Sequence, residues 1–294
     1  MPFFSIIIPT YNTEIYLQEC LESIKNQTFN DFEVIVINDG SPNKNQFPET
    51  IKQIFDKVAD HRFTYFEQKN QGVATARNLG LSKANGQWIF FLDSDDYIEN
   101  TFLEKNLKVI KNGKNPHNQL DTFTHGNPKE IVPLAKFLKF LPVVNNLTNS
   151  LVFPSYTITS CTMFEKKYIN FEFPLIHGGE DTIFTWKYML NLPDQNTIFV
   201  NSGATMQYRM HDGQYTTSNN AETKQFIQTN KFLKANMHKI KSFKNRVLAK
   251  LFIARFDLYT QRLETNSPLL KSFITIFVKF LTLISLAVSG CKKA

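Results

Sequence analysis

Short apolar runs alternate with helically spaced apolar positions over the first hundred residues. The run from Phe3 to Ile8, closed by Pro9, has the pattern of a strand buried on both faces. From Thr13 onward, Leu17, Cys20, Leu21 and Ile24 recur at i, i+3, i+4 and i+7, which predicts an amphipathic helix. Glu33 to Asn38 is rich in β-branched residues and ends in Asp39-Gly40-Ser41-Pro42, a strand followed by a turn. A second helix is expected over roughly Gln46 to Ala59, then a strand near Arg62 to Phe66. A third helix runs from Val73 to Ala84, where Asn85-Gly86 stops it, and Trp88 to Leu92 is the fourth strand. The strands recur at about the 30-residue spacing of βαβ units. The fold class is therefore α/β: a doubly wound, mostly parallel sheet with helices on both faces. Ligands are expected beyond the carboxyl ends of its strands.

Past Glu99 the rhythm loosens. A helix to about Val109 is followed by Lys111 to Asn118, whose Asn, Gly, Lys and Pro content predicts a loop. Asp121 to Pro154 has no clear period. Tyr156 to Phe164 is expected to be a strand, Asp181 to Leu190 a helix and Thr205 to Met210 a strand, with helix from Ala221 onward.

Charge divides the chain in two. The whole carries a net +7, yet from Thr223 to Ala294 there are 14 Lys and Arg against only Asp257 and Glu264, a net of +12. The rest must then carry −5, so the expected organisation is a catalytic domain over residues 1–220 and a basic helical C-terminal region over 221–294. Phe226, Leu233, Met237, Ile240, Phe243, Val247 and Leu251 are spaced for a helix packed on the main domain. In the last segment Lys271, Thr275, Lys279, Thr282, Ser285 and Ser289 share one arc of a helix, and Phe273, Phe277, Phe280, Leu281 and Ile284 share the opposite one. Lys279 in mid-segment argues against a spanning helix and for one lying in the plane of an anionic membrane surface. No nucleic-acid recognition motif accompanies the basic residues, so a nucleic-acid partner is not expected. Oligomerisation through the C-terminal helices is left open.

The three cysteines, Cys20, Cys161 and Cys291, are odd in number and far apart, which suggests neither a disulfide framework nor a zinc site. The N-terminal residues lack a basic region, and the apolar run after them is too short for a signal peptide. The expected location is cytoplasmic, peripheral at the inner face of the membrane.

Candidate chemistry clusters at the predicted strand ends. Pro9, Tyr11 and Asn12 follow the first strand, and Asn38-Asp39-Gly40-Ser41 follows the second. Asp93-Ser94-Asp95-Asp96 follows the fourth, and Gly178-Gly179-Glu180-Asp181 opens a helix. Three carboxylates within four residues repel one another unless a cation or hydrogen-bond donors hold them. At a strand's carboxyl end that arrangement suits a hard divalent cation which keeps waters and substrate phosphates as ligands. Asp39 could instead be an ordinary turn residue, and Asp181 a helix N-terminal carboxylate stabilised by the dipole. Arg77 is either a surface charge or a phosphate partner. His211 is a lone histidine near a strand end.

Taken together, these segments resemble family 2 glycosyltransferases of GT-A fold. The resemblance lies in Ser5 to Asn12, Tyr16 to Ile24 with Gln27-Thr28, Phe32 to Ser41, Asn70 to Gly80, Phe91 to Asp96 and Gly179 to Asp181. It implies a bacterial cell-surface polysaccharide enzyme that binds a nucleotide-sugar donor, probed most often as a UDP-sugar, and a glycan or lipid-linked acceptor. By the same resemblance Pro9, Tyr11 and Asp39 would frame the base, and Asn12, Ser94 and Glu180 would line the substrate site. Arg77 and Asn78 would face the ribose and diphosphate, and Asp93 the ribose and metal shell. Asp95, with Asp93 and His211, would hold Mn2+ or Mg2+, and Asp181 would be the catalytic base. Two positions depart from the family pattern, since Asn38 and Asn43 stand where aspartates are usual. A single base with no second carboxylate as nucleophile implies one displacement and inversion. A nucleotidyltransferase would normally carry a glycine-rich loop after the first strand, and Pro9-Thr10-Tyr11-Asn12 has none. An inactive sugar-nucleotide-binding subunit is the other alternative.

Overall fold

A computed structural model describes residues 1–42, 49–113, 115–124, 159–176, 178–193, 198–211 and 221–264, with isolated positions at 267–269, 275, 281 and 284. Five strands form the main sheet: β1 (Phe4–Thr10), β2 (Phe32–Asn38), β3 (Phe63–Glu67), β4 (Trp88–Phe91) and β7 (Phe164–Glu165), in the order β3-β2-β1-β4-β7. The first four run parallel and β7 is antiparallel to β4. A second sheet joins β5 (Tyr97–Ile98), β8 (Ile198–Met210) and β6 (Asn115–Thr124), in the order β5-β8-β6.

Every residue of β1 is buried, as a continuous apolar run between two helical layers requires. On one face Ile6 and Ile8 pack with Leu17, Cys20, Leu21 and Ile24 of α1 (Glu14–Lys25) and with Ile51, Ile54 and Val58 of α2 (Ile51–Val58). Phe102 and Leu103 of α4 (Phe102–Lys111) join the same cluster. On the other face Ile7, Ile35 and Ile37 meet Ala74 and Ala76 of α3 (Val73–Lys83). Phe184, Trp186 and Tyr188 of α5 (Glu180–Asn191) complete that layer. Helices therefore cover both faces, as the apolar periodicity predicts. The small residues of α3 have a steric reason: a Cβ on Gly80 would lie 2.3 Å from Cγ2 of Ile7. Glycine here lets α3 lie directly on the strands.

α6 (Ala221–Asn236) and α7 (Phe243–Glu264) pack beside α5, placing Leu233, Ile240, Leu248, Ala249 and Phe252 in the second core cluster. The inward stripe is not the expected one throughout. The helix breaks at Met237–Lys239, Phe243 is 75% exposed, and Leu248 and Phe252 point inward in the places expected for Val247 and Leu251. The amphipathic arc around Lys271 and Lys279 lies outside the described residues, as does Asn43.

Three other expectations need correction. Lys111 to Asn118 is not all loop, because α4 runs to Lys111 and β6 begins at Asn115. Its polar sequence is drawn into strand by pairing along β8, which starts at Ile198, well before the expected Thr205. In the expected strand from Tyr156, residues 156–158 lie outside the described part, Thr159–Cys161 is a 3-10 turn and only Phe164–Glu165 is strand. That edge strand pairs with β4 at two positions alone.

Substituting Gly80 with valine should force α3 off β1. The expected loss is about 1–3 kcal/mol of stability, read as a shift in the urea midpoint. The double variant with Ile7→Ala should recover part of that loss, because it removes the clashing atom.

Candidate active site at the strand ends

Parallel pairing in register brings the chemistry together. Thr10 lies opposite Asn38 and Ile7 opposite Phe91, so the loops after β1, β2 and β4 emerge side by side. Tyr11, just beyond β1, is 46% exposed, and Asn12 takes a left-handed φ of 57°. The Asn12 backbone N–H donates to Ser41 Oγ at 3.0 Å, tying the first loop to the second. An exposed aromatic ring beside buried Pro9 provides a platform on which a planar base can stack.

Asp39 is 3% exposed and organises the loop before α3. Its Oδ1 accepts from Gln68 Nε2 at 2.7 Å and from the Gln71 N–H at 2.9 Å, and its Oδ2 accepts from the Gly72 N–H at 2.8 Å. A carboxylate has about four acceptor positions, so Oδ2 keeps capacity for one further donor. Asp39 thus combines the turn-stabilising role with the ability to receive a base N–H.

The loop after β4 is pinned from several sides. Ser94, buried at 3%, pairs its hydroxyl with that of Thr13 at 2.8 Å and so joins the loop to the start of α1. Asp96 is buried at 1%, and its Oδ1 accepts from the Arg209 N–H at 2.9 Å. Burial, helped by the charges of Asp95 and Asp93, pushes the Asp96 carboxyl well above the usual carboxylate range. Arg209 donates from Nε to the Asp95 carbonyl at 2.8 Å, pairs with Glu19 and lies over the Tyr16 ring at 4.8 Å. Sequence reasoning placed Asp96 in the acidic cluster without giving it a role, and did not single out Arg209. The available signal was an arginine two residues before His211 in a strand that ends at the site.

Asp95 and His211 are 116 residues apart and meet, with Asp95 Oδ2 and His211 Nε2 3.0 Å from each other. The imidazole stacks at a tilt on Tyr16, with ring centroids 4.8 Å apart. Among the described residues no group of three or more His, Cys, Asp and Glu side chains forms a ready metal cage. A carboxylate oxygen and an imidazole nitrogen side by side at a cleft edge nevertheless suit an ion that completes its shell with waters and substrate phosphates. The residues present fit Mn2+ or Mg2+ on those terms.

Arg77 links the loop after β4 to Asp181, the second residue of α5. Gly178 and Gly179 precede it with φ of 84° and 87°, a left-handed pair that turns the chain sharply into the helix. Arg77, 3% exposed, donates from Nη1 to Asp181 Oδ1 at 2.6 Å and from Nη2 to Asp93 Oδ1 at 2.8 Å. Burial works against the guanidinium charge, but Asp181 and Asp93 more than restore it, so the group stays charged. Burial raises the Asp181 carboxyl most, Arg77 draws it back, and Glu180 and Asp93 push it up again, leaving it at about 7. Its side chain still keeps 31% of its surface exposed, enough to meet a substrate hydroxyl. Glu180 Oε2 is buried with no hydrogen-bond partner among the described residues. The Asn78 side chain holds the backbone of Phe173: its amide donates to the Phe173 carbonyl at 3.1 Å and accepts from the Phe173 N–H at 2.8 Å.

Known proteins share the sequence pattern and the fold. The model of the family described as Glycosyl transferase family 2 matches residues 5–170. An uncharacterized glycosyltransferase of Haemophilus influenzae is 47% identical over 128 residues, which is 43% of this chain and 47% of that protein. The chain spans less than half the length of the curated relatives it matches. Among solved structures, S. aureus TarS 1–349 in complex with UDP-GlcNAc has a TM-score of 0.67 at 23% identity, covering 86% of this chain and 71% of that 1–349 chain. The mannosyltransferase PcManGT of Pyrobaculum calidifontis, in complex with GDP-Man and Mn2+, has a TM-score of 0.59 at 14% identity, covering 98% of this chain and 86% of its own. The fold is that of these GT-A enzymes.

Proposed function

The chain belongs to glycosyl transferase family 2, and from that membership we propose that it is an inverting glycosyltransferase. It moves a sugar from a UDP-sugar donor to a hydroxyl of a glycan or lipid-linked acceptor. The observation that carries this reading is the placement of Asp181, with its raised carboxyl, on the same Arg77 fork that holds Asp93 of the loop after β4. The UDP-GlcNAc complex of TarS, alike in fold, supports the choice of donor.

In this reading the base stacks on Tyr11 beside Pro9 and donates to the remaining acceptor position of Asp39 Oδ2. Asn12, Ser94 and Glu180 line the site, with Ser94 acting through its bond to Thr13. Asp93 faces the ribose, while Asp95 and His211 would hold the divalent cation together with the donor's phosphates. The ion, when bound, supplies positive charge against the leaving diphosphate. Asp181 accepts the proton of the acceptor hydroxyl as that oxygen forms its bond to the anomeric carbon and the bond from carbon to the diphosphate breaks. One displacement on the face opposite the diphosphate inverts the anomeric configuration.

Asp181→Asn keeps the Arg77 contact but cannot take a proton. It should lower turnover about 10²-fold or more while leaving UDP affinity nearly unchanged. The pH profile follows from the carboxyl near 7. Only the ionised form is a base, so kcat/KM should rise about tenfold per pH unit in acid and level off above about 7. A flat profile from pH 5 to 8 would contradict the assignment.

Asp95→Ala should abolish metal-stimulated UDP release, and EDTA should silence the native enzyme until Mn2+ or Mg2+ is restored. Native activity in EDTA would remove the metal from the mechanism.

The C-terminal residues fit a peripheral position at the inner membrane face, on the strength of their charge and the arc from Lys271 to Ser289. Among the described residues no helix is long and apolar enough to cross a membrane. Ending the chain after Leu263 should lower co-sedimentation with anionic vesicles but leave slow donor hydrolysis. Native protein that stays in the supernatant would refute the membrane reading.

A further inference from the structure

Arg77 and Asn78 are neighbours on α3, and the resemblance assigns both to the donor's ribose and diphosphate. In the structure both side chains meet protein groups, although Arg77 Nε has no hydrogen-bond partner among the described residues. Both terminal nitrogens of Arg77 bind carboxylates, one on Asp93 of the loop after β4 and one on Asp181 of α5. The Asn78 amide closes a two-bond clamp on the backbone of Phe173. The Phe173 ring stacks flat on Phe184, one turn into α5 from Asp181, with centroids 3.9 Å apart and planes 9° apart. Arg77 lies over the Phe173 ring, 5.4 Å from its centroid. Two separate routes therefore run from α3 to the start of α5: a direct one through the guanidinium, and one through Phe173 and Phe184.

We propose that Arg77 and Asn78 form a bracket that positions Asp181 against the donor loop, and that neither residue is a ligand of the diphosphate. The inference rests on Asp181 being the base. Its physical content is specific to arginine. A planar fork with donors fixed at both ends can hold two carboxylates at a set separation, which a lysine ammonium on a flexible stem cannot do. α3 in turn is held against β1 at Gly80, so the bracket is anchored to the most buried strand of the sheet. In such an arrangement donor binding and base placement share one mechanical reference. A displacement of about 1 Å at the base costs on the order of 10²-fold in rate.

The test compares binding with turnover in the full-length chain with Mn2+ present, using Arg77→Lys, Arg77→Ala and Asn78→Ala. Calorimetry gives affinities for UDP and for uridine, and UDP release from saturating UDP-sugar gives kcat. The inference expects kcat to fall by roughly 10²-fold in both Arg77 variants and about tenfold in Asn78→Ala, with UDP and uridine affinities changed by less than about threefold. Arg77→Lys preserves charge and so separates loss of geometry from loss of folding. Added guanidinium should restore part of the turnover of Arg77→Ala, which a merely unfolded variant would not permit. UDP affinity falling tenfold or more with uridine affinity intact would make Arg77 a diphosphate ligand and overturn the bracket. Native kcat in Arg77→Lys would overturn it as well. Native turnover in Asp181→Asn would instead remove the base assignment itself, a distinguishable failure that takes this inference with it.

Discussion

Asp93, Asp95 and Asp96 crowd one loop, Asp93 shares Arg77 with Asp181 beside Glu180, and the mutual repulsion of these carboxylates is the constraint to which the surrounding structure answers. Two unit charges about 4 Å apart at the surface of a protein interact by about 4 kcal/mol, comparable to the cost of stripping water from either. The buried cations Arg77 and Arg209 are the response, and each does more than cancel charge. Arg77 joins α3 to the loop after β4 and to α5, while Arg209 joins β8 to the same loop and to Glu19 on α1. Asp96 answers the repulsion differently, since burial favours its uncharged form. Buried ion pairs of this kind add little net stability compared with apolar packing; their contribution here is to fix which segments meet.

That fixing depends on the sheet beneath. Because β1, β2 and β4 run parallel and in register, their carboxyl ends form one edge, and each following loop starts within reach of the next. The Asp39 N–H donates to the Thr10 carbonyl, and the Leu92 N–H to the Ile7 carbonyl, so the ladder continues past the strands into the loops. The side chains of Tyr11, Asp39 and Asp93 therefore inherit the precision of the strands although they stand on loops. The second sheet brings the remaining side chain of the candidate site, because β5 and β8 pair across Tyr97 and Gln207 and set His211 beside Asp95.

Much of this could be read from the residues, and what could not has a common cause. β1 to β4 and α1, α3 and α5 carry their own period or their own stop signals, and the expected bounds differ from those found by about one to three residues. α2 begins at Ile51 behind a Thr50–Gln53 capping box, a signal present in the sequence that outweighs the apolar spacing upstream. β5, β6 and β7 carry no such signal. Asn115-Pro116-His117-Asn118 becomes strand only because β8 lies alongside it, and Tyr97–Ile98 only because it meets Met206 and Gln207. The site divides in the same way. Acidic residues after apolar strands are visible from spacing, whereas the pairings of Arg77 with Asp181, Asn78 with Phe173 and Arg209 with Glu19 span 104, 95 and 190 positions and follow from tertiary packing alone.

Asn38 illustrates how packing changes the meaning of a departure from the family pattern. An asparagine in place of the usual aspartate beside Asp39 raises a question about the base. The side chain, however, lies on the α1 and α2 side of the sheet, in line with Val34 and Val36, while Asp39 turns toward the loop before α3. There its Nδ2 donates to the Tyr65 hydroxyl at 2.9 Å and its Oδ1 accepts from the Ser41 N–H at 3.0 Å. An ionised aspartate could accept but not donate. The Tyr65 hydroxyl in turn donates to Glu67 Oε2 at 3.3 Å, so an amide lets the relay run in one direction from Asn38 to Glu67. A carboxylate in its place would confront Glu67 through one shared hydroxyl proton, with buried Glu14 close by in the same pocket. The amide thus relieves a charge conflict on the far side of the strand, and it leaves in place the acceptor atoms of Asp39, the residue proposed to meet the nucleotide base.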